Sequence, residues 1–376
     1  MTARGDGILR SEDTSPSANP GAGEDIRRVL LIGGAGYVGS VLARHLLDHG
    51  YEVTVMDALV YGDEGVRELY ARPGFDVLRA DQRDLEALVR GARDADAIVH
   101  LGGLVGDPSC ALDEQLTRSI NVESTLTIAN VARGLGVKRF VFASTCAVYG
   151  SGHGVLDEDS PLGPISVYAK TKMESERLLL GLEGDGFAPI ILRFGTFYGL
   201  SPRPRFDLVV NLLAAKALSE GEITIFGGKQ WRPFIHVADG AEVVRRCLEA
   251  PLDRVRGQVF NVGADDQNYT LRQIAELITE QVPSVRVVYR KEEGEEPNYH
   301  VSFAKLRREL DFVPTHSVAQ GIFEIGRAIL KGTISNWDAT RYSNHKTLLS
   351  GDAVEILKRS DPVEAALLEM DSGARA

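Results

Sequence analysis

Cysteine is scarce in this chain: Cys110, Cys146 and Cys247 are scattered, odd in number, and form no C-x-x-C pair. That pattern excludes a disulfide framework and a thiolate zinc site, and it reads as reduced thiols in a cytoplasmic protein. An excess of positive charge is missing too. The 42 Lys and Arg stand against 53 Asp and Glu, for a formal charge of -11. Such a surface repels polyphosphate, so nucleic acid and anionic membranes are poor partners. No apolar run approaches the roughly 20 residues of a membrane span, and no repeat of roughly 20–50 residues marks a solenoid. Residues 1–25 are rich in Gly, Ser, Pro, Asp and Glu and lack the apolar core of a signal peptide. They are expected to be a disordered leader ending near Ile26. What is present, 44% hydrophobic and 25% charged over 376 residues, is the mix of a globular protein able to bury a full core.

Arg28-Val29-Leu30-Leu31-Ile32 is a short apolar run that stops at glycine, as a buried parallel strand does. Tyr37 to Gly50 then carries Val38, Leu42, Leu46 and Leu47 at helical spacing. Strands are expected at 51–56, 75–78, 97–101 and 140–143, with helices at about 84–93 and 112–135. This alternation predicts an α/β fold, a Rossmann-type doubly wound parallel sheet. After about residue 195 the rhythm loosens, with a helix over 206–220, short strands at 223–226 and 234–237, and helices near 238–249, 271–281, 303–310 and 317–331. The expected division is a dinucleotide domain over 26–195, with about 232–263 open to returning to it, and a smaller α/β substrate domain mainly over 196–332. Residues 333–376 are polar with a late amphipathic stretch, and no role can be read from them.

Gly33, Gly36 and Gly39 follow the first strand and open the first helix, with Tyr37 and Val38 between the last two. Glycine there permits a tight turn, close approach to a diphosphate and helix-on-sheet packing, and the helix N-terminus offers free N–H groups. Asp57 ends the second strand, 18 residues beyond Gly39. A carboxylate at that place accepts from both hydroxyls of an adenosine ribose and repels a 2′-phosphate, which favours NAD over NADP. Asp81 and Gln82, after the third strand, stand where an adenine amine can be read; a helix cap accounts for Asp81 equally well.

Tyr168 and Lys172 are spaced i, i+4 in a helical segment beginning near Ile165, so both side chains share a face. A phenol needs help to act as a base near neutrality, and a neighbouring ammonium favours its ionised form. Upstream, the fifth strand runs into Ser144-Thr145-Cys146-Ala147-Val148-Tyr149-Gly150. A Thr145 hydroxyl at that strand end faces the ligand crevice and can meet the substrate oxygen whose proton Tyr168 takes, while a strand cap is sufficient for Ser144. His45 and His49 are also i, i+4, but no third ligand is evident and no metal is expected.

Taken together, Gly33–Gly39, Asp57, His100-Leu101-Gly102-Gly103, Ser144–Gly150 and Tyr168–Lys172 resemble the extended short-chain dehydrogenase/reductases. More narrowly, they resemble the nucleotide-sugar epimerase/dehydratase branch that includes the UDP-glucose 4-epimerases, over about residues 27–332. The resemblance implies a Rossmann domain of six or seven parallel strands, a retained NAD, a nucleotide-diphosphate sugar substrate and a homodimer built on two paired helices. It implies further that Leu101, Gly102 and Gly103 line the cofactor, and that Asn121 is the family's Asn. The segments Leu192–Gly199 and Trp231–Val237 match family segments, which makes Arg232 a candidate for a substrate phosphate, with surface charge as the plainer account. Arg205 and Asn211 are candidate sugar-nucleotide contacts. Two departures stand out: Thr196 occupies the place of a family Asn that contacts substrate phosphate, and the place of a second phosphate Arg reads Glu292-Glu293-Gly294-Glu295, with Arg290 or Lys291 as substitutes.

Sugar 4,6-dehydratases of this branch resemble Thr-Asp-Glu after the fifth strand, because removing water takes a separate acid and base. Here Thr145-Cys146-Ala147 offers neither carboxylate. The expectation is epimerisation at C4 through a transient 4-keto sugar, with Thr145, Tyr168 and Lys172 catalytic. The alternatives are a nucleotide-sugar ketoreductase or dehydrogenase, a dehydratase with its acid elsewhere, and, from another class, a non-catalytic dinucleotide sensor.

Overall fold

A computed structural model of the protein describes residues 26–184, 186–291 and 298–359. The stretch 1–25 read above as a leader, the Glu292-Glu293-Gly294-Glu295 run and the end of the 333–376 extension lie outside the described residues. The chain lays down β1 (Arg28–Ile32), β2 (Glu52–Asp57), β3 (Phe75–Arg79), β4 (Ala97–His100) and β5 (Arg139–Thr145). β6 (Ser151–Leu156) leaves the sheet, β7 (Ala188–Phe194) returns to it, and β8 (Thr196–Tyr198), β9 (Glu222–Phe226) and β10 (Trp231–His236) build away from it. β11 (Val259–Val262) then forms the sheet's edge, and β12 (Asn268–Thr270), β13 (Arg286–Arg290) and β14 (Asn298–Val301) pair with β10, β9 and β6.

Seven strands make one parallel sheet in the order β11-β7-β5-β4-β1-β2-β3. This is the α/β, Rossmann-type doubly wound sheet that the alternation predicts. Side chains alternate between its faces. Val29 and Leu31 join Leu42 and Leu46 of the helix Tyr37–Asp48 and Val243, Val244 and Cys247 of the helix Val237–Glu249 on one face. Leu30 and Ile32 join Leu88, Ile128, Ala132 and Leu179 on the other. With both faces covered, a strand can be apolar throughout, and all seven residues of β7 are buried. The strand order reverses between β1 and β4, and connections diverging there open a crevice beyond the strand C-termini.

The remaining strands form small sheets, and the helices Val209–Ser219, Leu271–Gln281 and Val318–Leu330 share a second core that includes Val210, Ile223, Phe234, Ile274 and Ile322. Capping boxes at Thr270/Gln273 and Ser317/Gln320 fix where two of those helices begin. The helix expected over 112–135 is interrupted: Glu114–Arg118 runs into a π-helical turn, Ser119–Glu123, before Ser124–Leu135 continues. The wider turn serves Asn121, whose side chain both accepts from the Leu104 amide (2.8 Å) and donates to its carbonyl (2.9 Å).

β7 carries one charge into the core. Arg193 pairs with Glu176 of the helix Val167–Gly181 at 2.8 Å, and both side chains are about 95% buried or more. Ser144 donates to the same carboxylate, and Arg193 also donates to the Tyr149 hydroxyl (3.0 Å). Removing one partner of a buried pair leaves the other charge uncompensated. Arg193→Met is expected to lower unfolding free energy by about 3–5 kcal/mol, read by urea denaturation, and Glu176→Leu/Arg193→Met to recover most of that loss. A single variant as stable as wild type would contradict this reading.

Candidate active site

The crevice at the β1/β4 reversal is lined by the glycine turn, by the ends of β2, β4 and β5, and by Tyr168 and Lys172. Gly33 sits at φ +78°, and a Cβ there would lie 2.6 Å from the Gly102 amide. A Cβ on Gly39 would lie 2.4 Å from the Gly33 carbonyl. The turn is therefore packed backbone against backbone, which only glycine allows. The helix Tyr37–Asp48 starts at Gly36 with no side-chain cap, leaving its first N–H groups to a ligand. Asp57 accepts from the amides of Ala35 (3.0 Å) and Leu59 (2.9 Å), and burial raises its pKa against those two bonds. Each carboxylate oxygen keeps a further lone pair for a ribose hydroxyl. A cradle too tight for a Cβ, an uncapped helix end and a carboxylate at the neighbouring strand tip suit NAD.

Asp81 and Gln82 also line the crevice, but both are engaged. Asp81 forms a buried ion pair with Arg83 (2.9 Å). It is not a helix cap: the cap of the helix Leu85–Ala92 is Asp84, which accepts from the Ala87 amide. Gln82 donates to the Ile120 carbonyl and the Ser124 hydroxyl, both at 2.6 Å, tying the β3 exit to the π-helical turn. Leu101, Gly102 and Gly103 line the floor, whereas Asn121 stands behind it as the brace for Leu104.

At the other end, Thr145, Tyr168 and Lys172 line the crevice together. Ser166 caps their helix by accepting from the Ala169 amide (3.2 Å), and Tyr168, Lys172 and Glu176 follow at i, i+4 and i+8 on the face that meets the sheet. Lys172 donates to the Ala143 carbonyl (2.8 Å) and lies over the Phe142 ring, and burial lowers its pKa to about 8. Tyr168 corrects an expectation. Burial lifts its phenol well above the ordinary range, and the Arg205 charge opposes this. Tyr168 is half-buried in the crevice wall, and its desolvation outweighs the neighbouring cations. Cys146 is fully buried with its thiol donating to the Arg193 carbonyl, and burial raises its pKa, so it is packing and not a base.

Among the candidate substrate residues, Arg205 lines the crevice, held by Asp207 through two bonds of 2.8 and 3.0 Å. Asn211 is buried and bonded to Gly199 and to the Arg205 carbonyl, so it shapes this loop and does not reach the crevice. Thr196 on β8 lies outside the lining, as does Arg232 on β10, which is half-buried over the Tyr299 ring at 5.3 Å. Arg290 is exposed at the end of β13, in register with Phe226, away from the crevice. Tyr61, Arg203, Asn344 and Leu357 line the crevice without having been singled out from sequence. Arg203 stands two positions from Arg205, but nothing local marks the other three.

His45 and His49 serve the surface: His45 meets Glu242 at 2.9 Å and His49 bonds the His45 carbonyl. Among the described residues no group of three or more His, Cys, Asp or Glu is placed to hold a metal, and no helix is long and apolar enough to cross a membrane. Gly39→Ala tests the cradle. It is expected to yield protein without bound nucleotide and to cost about 1–3 kcal/mol of stability, read by nucleotide extraction and thermal unfolding; unchanged NAD content would show that the close packing is not required.

The sequence profile of the NAD dependent epimerase/dehydratase family matches residues 29–263. A UDP-glucose 4-epimerase of Corynebacterium glutamicum is 28% identical over 316 residues, covering 79% of this chain and 94% of that protein. A UDP-N-acetyl-alpha-D-glucosaminuronate decarboxylase of Bacillus cytotoxicus is 29% identical over 318 residues, covering 79% and 96%. Among solved structures, the dTDP-glucose 4,6-dehydratase DesIV of Streptomyces venezuelae with NAD bound aligns with a TM-score of 0.72 at 28% identity, over 81% of this chain and 97% of that one. MoeE5 in complex with UDP-glucuronic acid and NAD aligns with a TM-score of 0.70 at 26% identity, over 81% and 99%. With the glycine cradle, Asp57 and the Tyr168–Lys172 pair gathered in one crevice, this chain is a member of the NAD dependent epimerase/dehydratase family and uses NAD.

Proposed function

We propose that the chain is a nucleotide-sugar epimerase that inverts C4 through a transient 4-keto sugar, with no net redox change. NAD, when bound, supplies the acceptor and later the donor of the C4 hydride. Tyr168 takes the C4 hydroxyl proton and returns it. Its raised pKa means that the phenol ionises only as cations gather around it, and Arg205 already acts in that sense. Lys172, fixed on the Ala143 carbonyl, stands one helical turn away to hold the cofactor's ribose and add positive charge. Thr145 accepts from the Ala147 amide (3.1 Å), which leaves its hydroxyl proton to orient the sugar oxygen.

The observation that carries this reading is the distribution of carboxylates. Among the described residues, those lining the crevice are Asp57 and Asp81, both at the adenosine end, and none stands beside Thr145. Elimination of water would draw on an acid–base pair that this wall lacks. One feature favours a second reading, dehydration: Asp107, exposed at the start of the turn Asp107–Cys110, raises the pKa of both Tyr168 and Tyr299 and so lies within electrostatic reach of the sugar end. A homodimer belongs to the same proposal and rests on the family resemblance; a cytoplasmic setting rests on three buried free thiols.

The test is to incubate the protein with a panel of nucleotide sugars without added cofactor and identify products by mass and NMR. An isomer of unchanged mass is expected, and loss of water would select dehydration. Tyr168→Phe is expected to lower turnover by about 10²–10⁴ while NAD stays bound. An active Phe variant would remove the proposed base.

A further inference from the structure

Where the cradle meets the second lobe, one cation lacks an anion. Arg203 is 3% exposed, and its backbone is held at the head of the glycine-loop helix: the Arg203 amide donates to the Ser201 hydroxyl, which itself donates to the Tyr37 carbonyl (2.7 Å). Arg203 lines the crevice, and its guanidinium stacks on the Tyr61 ring at 4.6 Å and donates through Nη1 to the Asn344 side chain (2.6 Å). Nε and Nη2 are buried with no hydrogen-bond partner, and so is the Tyr61 hydroxyl. The nearby carboxylates are already engaged, Asp207 with Arg205 and Asp57 with the Ala35 and Leu59 amides. Burial and the Arg205 charge lower the Arg203 pKa to about 10, the signature of a cation held without its counter-charge. Buried N–H groups of a charged side chain are rarely left unpaired without a functional reason.

Asn344 comes from the C-terminal segment, whose role the sequence leaves unread. Its helices Asn344–Leu349 and Asp352–Arg359 pack Leu348, Ala353 and Leu357 against Leu104, Cys110 and Ile120. The Leu357 carbonyl accepts from Arg83, and Lys358 pairs with Asp113 (3.1 Å), so the segment is tied along the crevice rim. The Asn344 amide donates to Asp207, which joins the segment to the Arg205 loop as well.

We propose that Arg203 is the cation that receives a diphosphate in this crevice, that of the bound dinucleotide, and that Asn344 of the C-terminal segment positions it. The dinucleotide is preferred over the sugar nucleotide as the source because the Arg203 stem crowds Gly65, as do the Ala35 carbonyl of the glycine turn and Ser40, and because Arg203 feels the Asp57 charge. The C-terminal segment is on this account a wall of the cofactor site. The inference does not depend on which sugar reaction follows.

The test is calorimetric titration of NAD⁺, ADP, adenosine and UDP-glucose into wild type and Arg203→Gln, each first stripped of retained nucleotide. The variant is expected to weaken NAD⁺ and ADP by about ten- to hundredfold, and adenosine, which has no diphosphate, by less than about twofold. Equal weakening of adenosine and ADP would mean a merely structural role, and loss confined to UDP-glucose would assign Arg203 to the sugar nucleotide; either overturns the proposal. Asn344→Asp serves as a second variant should Arg203→Gln fail to fold. By giving Arg203 an internal counter-charge it is expected to weaken ADP relative to adenosine in the same sense, and an unchanged ratio would contradict the proposal.

Discussion

The site depends on how the helix Val167–Gly181 is fastened to the sheet. Three of its residues at i, i+4 and i+8 meet the strand ends: Tyr168 and Lys172 face the crevice, and Glu176 pairs with Arg193 beneath it. The Ser144 bond to Glu176 and the Lys172 bond to the Ala143 carbonyl bring the end of β5 to the same helix, so Thr145 is placed by its neighbours. A buried ion pair contributes little net stability against an apolar alternative. Here its consequence is register, because a helix free to slide or rotate would carry Tyr168 and Lys172 away from Thr145.

Desolvation by the crevice walls is the second constraint. Burial pushes the Tyr168 phenol up and the Lys172 ammonium down, so both move toward their neutral forms in the absence of ligand. Charges brought by ligands are felt strongly in such a place. The same logic applies at the other end, where Arg203 is buried without an anion beside an uncapped helix terminus. Both ends of the crevice are thus incomplete in a way that a dinucleotide with a positive ring and a negative diphosphate would complete.

Much of this was legible in the sequence because it is local. Gly33–Gly39 after an apolar run, Asp57 at the next strand end and the Tyr168/Lys172 spacing each report their own geometry, and the strand–helix alternation reports the sheet. What was not legible depends on contacts between distant segments. The π-helical turn at Asn121 exists because that side chain holds Leu104, and nothing in Ser119–Glu123 announces it. Asn344 and Leu357 reach the crevice only because an amphipathic tail finds Leu104 and Ile120. Conversely, the family resemblance points to Arg290 by position alone, and the pairing of β13 with β9 takes it to the surface. Spacing shows that Tyr168 and Lys172 share a face, but not how far burial lifts the phenol, which depends on the walls that close around it.

On the proposed mechanism a hydride leaves the sugar and returns to it inside this one crevice. The most direct test follows deuterium placed at the reacting carbon of a nucleotide sugar that the protein turns over in ordinary water. If hydride is removed and restored within the site, the label stays on that carbon in the product. If the label washes into solvent, the carbon is being deprotonated instead, and the account is wrong.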